Sequence, residues 1–121
     1  MWTFHQLSGA IEHDGKVLDY GWSGYEDAIN IPAMQDIPGI GPIPRGTYIM
    51  RDPPVDHPEM GPYALKLTPA VDTQLYGRSG FWWHDRSIHV PFDSSRGCVV
   101  SHRATRQAAW ESGDHVLQVV V

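Results

Sequence analysis

The sequence predicts a small, mainly β protein, a sandwich or barrel of short strands with one short helix near the C-terminus. Two observations lead to this fold class. The 121 residues include twelve glycines and ten prolines, which favour many turns and few long helices. Between these turns, bulky apolar and polar residues alternate as they do in half-buried strands. A chain of this length supports one domain over residues 1–121.

The predicted strands follow one another along most of the chain. Residues 2–7 alternate apolar and polar side chains, and Asp14-Gly15 is a strong hairpin turn before a strand over residues 16–20. Residues 26–44 are expected to be irregular, because prolines and glycines interrupt every periodic pattern there. Aromatic and β-branched residues predict further strands, at residues 46–51, 63–68, 81–84, 98–101 and 115–121.

One segment has a helical pattern, at residues 103–111. Ser101 is a suitable N-terminal cap, and Ser112-Gly113 is a suitable stop. Ala104 and Ala108 lie on the face that we expect to point inward.

Composition and charge exclude several classes of protein. Hydrophobic residues make up 41% of the chain and charged residues 19%, which fits a folded globular protein. The formal net charge of −5 argues against nonspecific nucleic-acid binding. No apolar run approaches the roughly 20 residues of a membrane span. The N-terminus lacks the basic and apolar regions of an export signal, so we expect a protein made in the cytoplasm without a signal peptide.

Cys98 is the only cysteine, and its surroundings favour chemistry over packing. Gly97 before it lets the backbone approach a ligand closely, and Arg96 adds charge that favours the thiolate. His84, fourteen positions earlier, ends an aromatic segment and is able to accept a thiol proton near neutral pH. The two residues are therefore predicted to be a nucleophile and its base.

Other interpretations of these residues stay open. Cys98 on its own is compatible with an inert buried thiol, and His84 with a hydrogen-bonded core residue. His89 is an alternative base. His84, His89 and Cys98 include good zinc ligand types, but their spacing matches no standard metal motif, and we expect no metal and no cofactor.

Several motifs carry a resemblance to a known family. His84 followed by Ser95-x-Gly97-Cys98 resembles the signature of the L,D-transpeptidases, the YkuD-like cysteine enzymes of peptidoglycan. Nearly the whole chain resembles the shorter Tlde1-type effectors of type VI secretion. The matching segments include Gly21-Trp22-Ser23-Gly24, residues 41–48 with the sequence GPIPRGTY, and Arg78-Ser79-Gly80-Phe81. Many family members have glycine after the histidine, where this chain has Asp85.

The resemblance implies a single L,D-transpeptidase-like catalytic domain. Such an enzyme cleaves a stem tetrapeptide before its terminal D-alanine, or exchanges that residue for another D-amino acid. Cys98 would attack as a thiolate, and His84 would move the proton. Gly97 and Cys98 would supply backbone N–H groups to the oxyanion, the backbone carbonyl of Asp85 would orient the imidazole, and Ser95 would hydrogen-bond within the turn or to substrate.

The resemblance also suggests substrate contacts and partners. Stem peptides carry carboxylates, so Arg78 and Arg96 are expected as clamps, and Trp83 as an aromatic contact. An antibacterial effector of this kind would need secretion machinery and a cognate immunity protein, and would act in the periplasm of a target bacterium.

Two other functions compete with this one. A cysteine amidase could cut a different bond of peptidoglycan, although papain-like and NlpC/P60-type enzymes place cysteine before histidine in the chain. A non-catalytic module that binds the cell wall would keep the fold without the chemistry.

Overall fold

The computed structural model describes residues 1–85 and 97–121, in which β-strands dominate. These strands are β1 (Trp2–His5), β2 (Ala10–His13), β3 (Lys16–Tyr20), β4 (Trp22–Ser23), β5 (Gly46–Ile49), β6 (Val55–His57), β7 (Gly61–Lys66), β8 (Thr68–Pro69), β9 (Trp82–His84), β10 (Val99–Val100) and β11 (Val116–Val120). An α-helix, α1, spans Arg103–Glu111, and short 3-10 helices span Glu26–Ala28 and Pro32–Met34.

The described strands form two mixed sheets. The first has the order β3-β2-β1-β11-β5-β8, and the second has the order β4-β10-β9-β7-β6. Pairing is parallel between β1 and β11 and between β9 and β10, and antiparallel elsewhere. The predicted fold class, mainly β with one short helix, is confirmed. In the described ranges, no helix has the length and apolar character needed to cross a bilayer.

Aromatic residues of the two sheets meet in the hydrophobic core. Trp2 of β1 packs edge-to-face on Trp83 of β9, with ring centroids 6.0 Å apart. Tyr48 of β5 makes a similar contact with Phe81, at 5.6 Å. Such pairs contribute roughly 0.5–1.5 kcal/mol beyond area burial. These core contacts thus fix the position of β9, the strand that carries His84.

Local signals in the sequence located several elements. Asp14 and Gly15 both have positive φ, 50° and 87°, as a two-residue hairpin turn requires. The helix spans the predicted residues, and Gly113 follows it with φ of 76°. Strand β6 lies between prolines at positions 53, 54 and 58, and it pairs with β7 through contacts that only the tertiary structure provides.

The start and the inner face of α1 differ from prediction. His102 is the N-cap residue, and Ser101 instead accepts a hydrogen bond from the indole Nε1 of Trp83 at 2.7 Å. Ala104 and Ala108, both predicted to point inward, are exposed, whereas Thr105, Arg106 and Ala109 are buried. The helix packs on β7 and β9, where the Arg106 guanidinium reaches backbone carbonyls that an alanine cannot reach.

Candidate active site

Cys98 lies at the entrance to β10, on the turn that Gly97 makes. Its side chain is buried, with the residue 3% exposed. The sulfur lies 3.8 Å from the backbone carbonyl oxygen of Gly80, and the backbone of Trp82 also hydrogen-bonds to it. The thiol is therefore held against the start of the neighbouring strand β9.

Parallel pairing brings His84 close to Cys98. The register of β9 and β10 aligns Trp83 with Val99 and His84 with Val100. Extended by one residue, it places Cys98 beside Trp82. His84 and Cys98 are thus diagonal neighbours on adjacent strands, a relation that corresponds to roughly 7–8 Å between backbones and lies within side-chain reach. The alternate positions, Trp83 and Val99, point into the core.

The hydrogen bonds of His84 determine which ring nitrogen can act as a base. Its Nδ1 lies 2.6 Å from the backbone carbonyl oxygen of Asp85. Because a carbonyl only accepts, Nδ1 carries the proton and Nε2 of the neutral ring has a free lone pair. Nε2 is buried and has no hydrogen-bond partner within residues 1–85 and 97–121. A buried acceptor without a donor is costly in a folded protein, and such atoms are often functional.

Burial keeps both members of this pair neutral. It lowers the pKa of His84 to about 4, although the hydrogen bond to Asp85 opposes the change. It raises the pKa of Cys98 to about 11, although the Trp82 backbone and the Arg78 charge oppose it. The free site therefore favours thiol and imidazole over the thiolate that the sequence predicted.

Asp85 forms an ion pair with Arg106 of helix α1. Its carboxylate Oδ2 lies 3.9 Å from Nη2 of Arg106, whose side chain is fully buried. The same guanidinium donates hydrogen bonds to the carbonyl oxygens of Pro62, Tyr63 and Ser101. Arg106 thereby links helix α1 and strand β7 to the residue whose carbonyl orients His84. Sequence reasoning missed this role, because nothing local marks Arg106 as a buried residue.

The residues Trp83 and Arg78, which the sequence suggested as substrate contacts, are both buried. Trp83 is 0% exposed and lies in the core, so it offers no surface to a substrate. Arg78 is 6% exposed, and its guanidinium donates to three backbone carbonyls of the loop before β5. Both residues support the site from inside the protein. Ser95, Arg96 and His89 lie outside the described residues.

A cleft of about 340 Å³ lies next to Asp85, the residue that follows His84, but neither His84 nor Cys98 is among the residues that line it. Val100, the strand partner of His84, forms part of its wall, and Asp85 forms another part. Its remaining lining residues are Tyr20, Trp22, Ser101 and His102. Sequence reasoning did not assign Tyr20 or Trp22 to the site. The motif Gly21-Trp22-Ser23-Gly24, noted in the sequence for its resemblance to the family, contains Trp22 and could have indicated this side of the cleft.

One group of side chains among the described residues has metal-ligand chemistry. His13, Asp14 and Asp114 place one ligand atom each within 4.8 Å of one another. The N-terminal ammonium of Met1, however, lies 2.8 Å from both carboxylates. A cation of the chain already occupies the position that a metal would need, so the group is an ion-pair cluster. The alternative zinc site of His84, His89 and Cys98 lies partly outside the described residues.

Stability at acid pH is expected to depend on His84. Its pKa is near 6.5 when unfolded and about 4 when folded, so the unfolded chain binds more protons between these values. Stability should therefore fall as pH drops from about 6.5 to about 4, by on the order of 3 kcal/mol from this residue. Urea unfolding at several pH values measures the slope. The free energy of unfolding should change less with pH in His84→Gln than in the unmodified protein. An equal change in both proteins would contradict the assignment of the lowered pKa to His84.

Gly97 is expected to tolerate no side chain. Its φ is 90°, and a Cβ would lie 2.0 Å from Nη2 of Arg78. Gly97→Ala should therefore cost more than the roughly 1–3 kcal/mol of backbone strain alone. Gly77→Ala is the matched control, since Gly77 has φ of 74° with nothing within 4 Å of a Cβ. Urea unfolding of both variants separates strain from collision, and equal losses would refute the collision.

Comparison with known proteins identifies the family of the chain. The family model described as the Tlde1 domain matches residues 19–121, a range that contains Arg78, His84 and Cys98. No curated protein matches the chain.

Proposed function

Because the chain belongs to the Tlde1 domain family of type VI secretion effectors, we propose that it is a cysteine-dependent enzyme of peptidoglycan. It cleaves stem tetrapeptides before the terminal D-alanine, as an L,D-carboxypeptidase, or exchanges that residue, as an L,D-transpeptidase. One observation carries the proposal. A neutral imidazole with a free, buried Nε2 lies on the strand that neighbours the only cysteine.

The first half of the reaction forms an acyl-enzyme. The Cys98 sulfur attacks the carbonyl carbon between the diamino acid and D-alanine while Nε2 of His84 takes the thiol proton. The tetrahedral oxyanion lies near the backbone N–H groups of Gly97 and Cys98. The carbon–nitrogen bond then breaks, and His84 returns the proton to the departing amine of D-alanine. A thioester on Cys98 and a free D-alanine result.

The second half resolves the thioester. Water, or the amine of another D-amino acid or stem peptide, attacks the thioester carbonyl while Nε2 of His84 accepts its proton. The carbon–sulfur bond breaks, and the proton returns to the Cys98 sulfur. Water gives a trimmed tripeptide, and an amine gives exchange or a cross-link. A pKa of about 4 keeps the His84 imidazole of the free site unprotonated at neutral pH, so that its Nε2 is available to accept the thiol proton.

Delivery and partners follow from the same family. As a type VI secretion effector, the protein is expected to be carried by that machinery and to have an immunity partner in the producing cell. Peptidoglycan stem peptides lie in the periplasm, so we propose that compartment of a target bacterium as the place of action.

Muropeptide analysis tests the proposed reaction. Purified protein is incubated with tetrapeptide muropeptides, with and without an added D-amino acid, and the products are measured by mass spectrometry. Loss of one alanine supports carboxypeptidase activity, and replacement of that alanine supports exchange. Release of a dipeptide or of free glycan would instead indicate an amidase of different specificity, and binding without turnover would indicate a non-catalytic module.

A further inference from the structure

Arg78 is an internal cation that the proposed reaction leaves without a role. Its Nη1 donates hydrogen bonds to the carbonyl oxygens of Gln35 and Pro42, and its Nη2 donates to that of Gly41 at 2.9 Å. These hydrogen-bond partners are neutral carbonyls, so they hold the guanidinium in place without forming an ion pair with it, and the charge of Asp36 acts on it only as the smallest of the effects that favour its charged form. The Phe81 ring, with its centroid 5.8 Å from the Arg78 Cζ, adds a cation–π contact.

The same guanidinium packs against the turn that carries the nucleophile. Nη2 of Arg78 occupies the space where a side chain of Gly97 would begin. A Cβ on Gly97 would lie 2.0 Å from this nitrogen. Two residues beyond Arg78, the carbonyl oxygen of Gly80 lies 3.8 Å from the Cys98 sulfur. Residues 78–80 therefore contact the Gly97-Cys98 turn at both its backbone and its sulfur.

We infer that Arg78 is a positioning residue for Cys98: its guanidinium, held by the 35–42 loop, fixes the Gly97-Cys98 turn and stabilises the negative charge that develops on the sulfur during attack. This inference rests on the proposed cysteine chemistry. It replaces the carboxylate clamp that the sequence suggested.

Electrostatics supports this role. A charge in a site that excludes water acts strongly on its neighbours, because the local dielectric constant is low. The Arg78 charge lowers the pKa of the Cys98 thiol against the larger effect of burial. In turn, the developing thiolate favours the charged guanidinium, whose own pKa burial lowers. The two groups thus stabilise each other only when the sulfur is negative, as transition-state stabilisation requires.

Alkylation of Cys98 tests the inference without peptidoglycan. Because the chain has one cysteine, the rate of iodoacetamide labelling, followed by intact-protein mass, reports on that sulfur alone. In Arg78→Met the rate at a fixed pH near 8 should fall about tenfold, the effect of roughly one unit in thiol pKa. Arg78→Lys keeps the charge and should stay within about threefold of the unmodified protein.

The direction of the change separates charge from structural damage. A variant that merely loosens the fold exposes the buried thiol and labels faster, whereas loss of the charge makes labelling slower. An unchanged or faster rate in folded Arg78→Met, or an equal loss in Arg78→Lys, would overturn the inference. Should Arg78→Met fail to fold, Arg78→Gln keeps two amide donors for the loop carbonyls, and the same outcomes apply to it.

Steady-state kinetics distinguishes this role from substrate binding. A positioning residue changes kcat, because its effect is on the sulfur, whereas a carboxylate clamp changes KM. A rise in KM alone for Arg78→Lys would instead support the role of Arg78 as a clamp for substrate carboxylates. If tetrapeptides are not cleaved at all while the labelling rates change as expected, the proposed substrate is wrong and the role of Arg78 stands.

Discussion

Replacing Cys98 with alanine is expected to abolish cleavage of tetrapeptide stems, with a loss of at least roughly a thousandfold in kcat. No other side chain within residues 1–85 and 97–121 is a thiol, and the thioester cannot form without the sulfur. The fold should survive, because alanine is only slightly smaller and the site is already buried. Mass spectrometry of muropeptides measures the trimmed product, and circular dichroism checks the fold.

Cys98→Ser is the closer variant. It keeps nearly the same volume and hydrogen-bonding capacity of the side chain, but a hydroxyl is a much weaker acid and nucleophile than a thiol. It should therefore be almost as inactive as the alanine variant. Undiminished turnover by either variant would refute a cysteine nucleophile, and the amidase and transpeptidase hypotheses would fail together.

His84→Gln is expected to lower kcat by roughly 10²–10⁴-fold, the usual contribution of a general base. Glutamine has a similar volume and can donate to the Asp85 carbonyl as Nδ1 does, but it offers no basic nitrogen to the thiol. The loss should persist across pH, because the glutamine side chain does not titrate. Rates with tetrapeptide muropeptides between about pH 6 and pH 9 measure it.

A matched histidine in the other sheet is the control for this variant. His5 lies in β1, within the sheet that does not contain Cys98, so His5→Gln should retain kcat within about twofold. If His84→Gln were as active as His5→Gln, the base would be another residue, and His89 would be the next to change.

The sequence identified the candidate catalytic residues one at a time, each from its own neighbours in the chain. Cys98 and Gly97 were recognisable because a lone cysteine after glycine is unusual, and His84 because it ends an apolar strand. The helix and the Asp14-Gly15 hairpin were predictable for the same kind of reason, since caps and turns depend on residues close together in the chain.

The supporting residues were not predictable in this way. The sequence suggested Arg78 as a clamp for substrate carboxylates and Trp83 as an aromatic contact, whereas both residues are buried. Their burial was not predictable, because a charged side chain is usually exposed and a buried arginine depends on carbonyl oxygens that distant segments supply. Arg106 illustrates the same limit, with partners at Pro62, Tyr63 and Ser101.

By itself, then, the sequence determined the candidate reactive groups and most of the elements that carry them, because residue chemistry and local periodicity are properties of short segments. The tertiary structure decided how those groups are arranged and how acidic they are. Parallel pairing of β9 with β10 makes His84 and Cys98 diagonal neighbours on adjacent strands, and burial shifts both pKa values towards the neutral forms. Both effects depend on contacts between residues far apart in the chain, which a linear pattern does not encode.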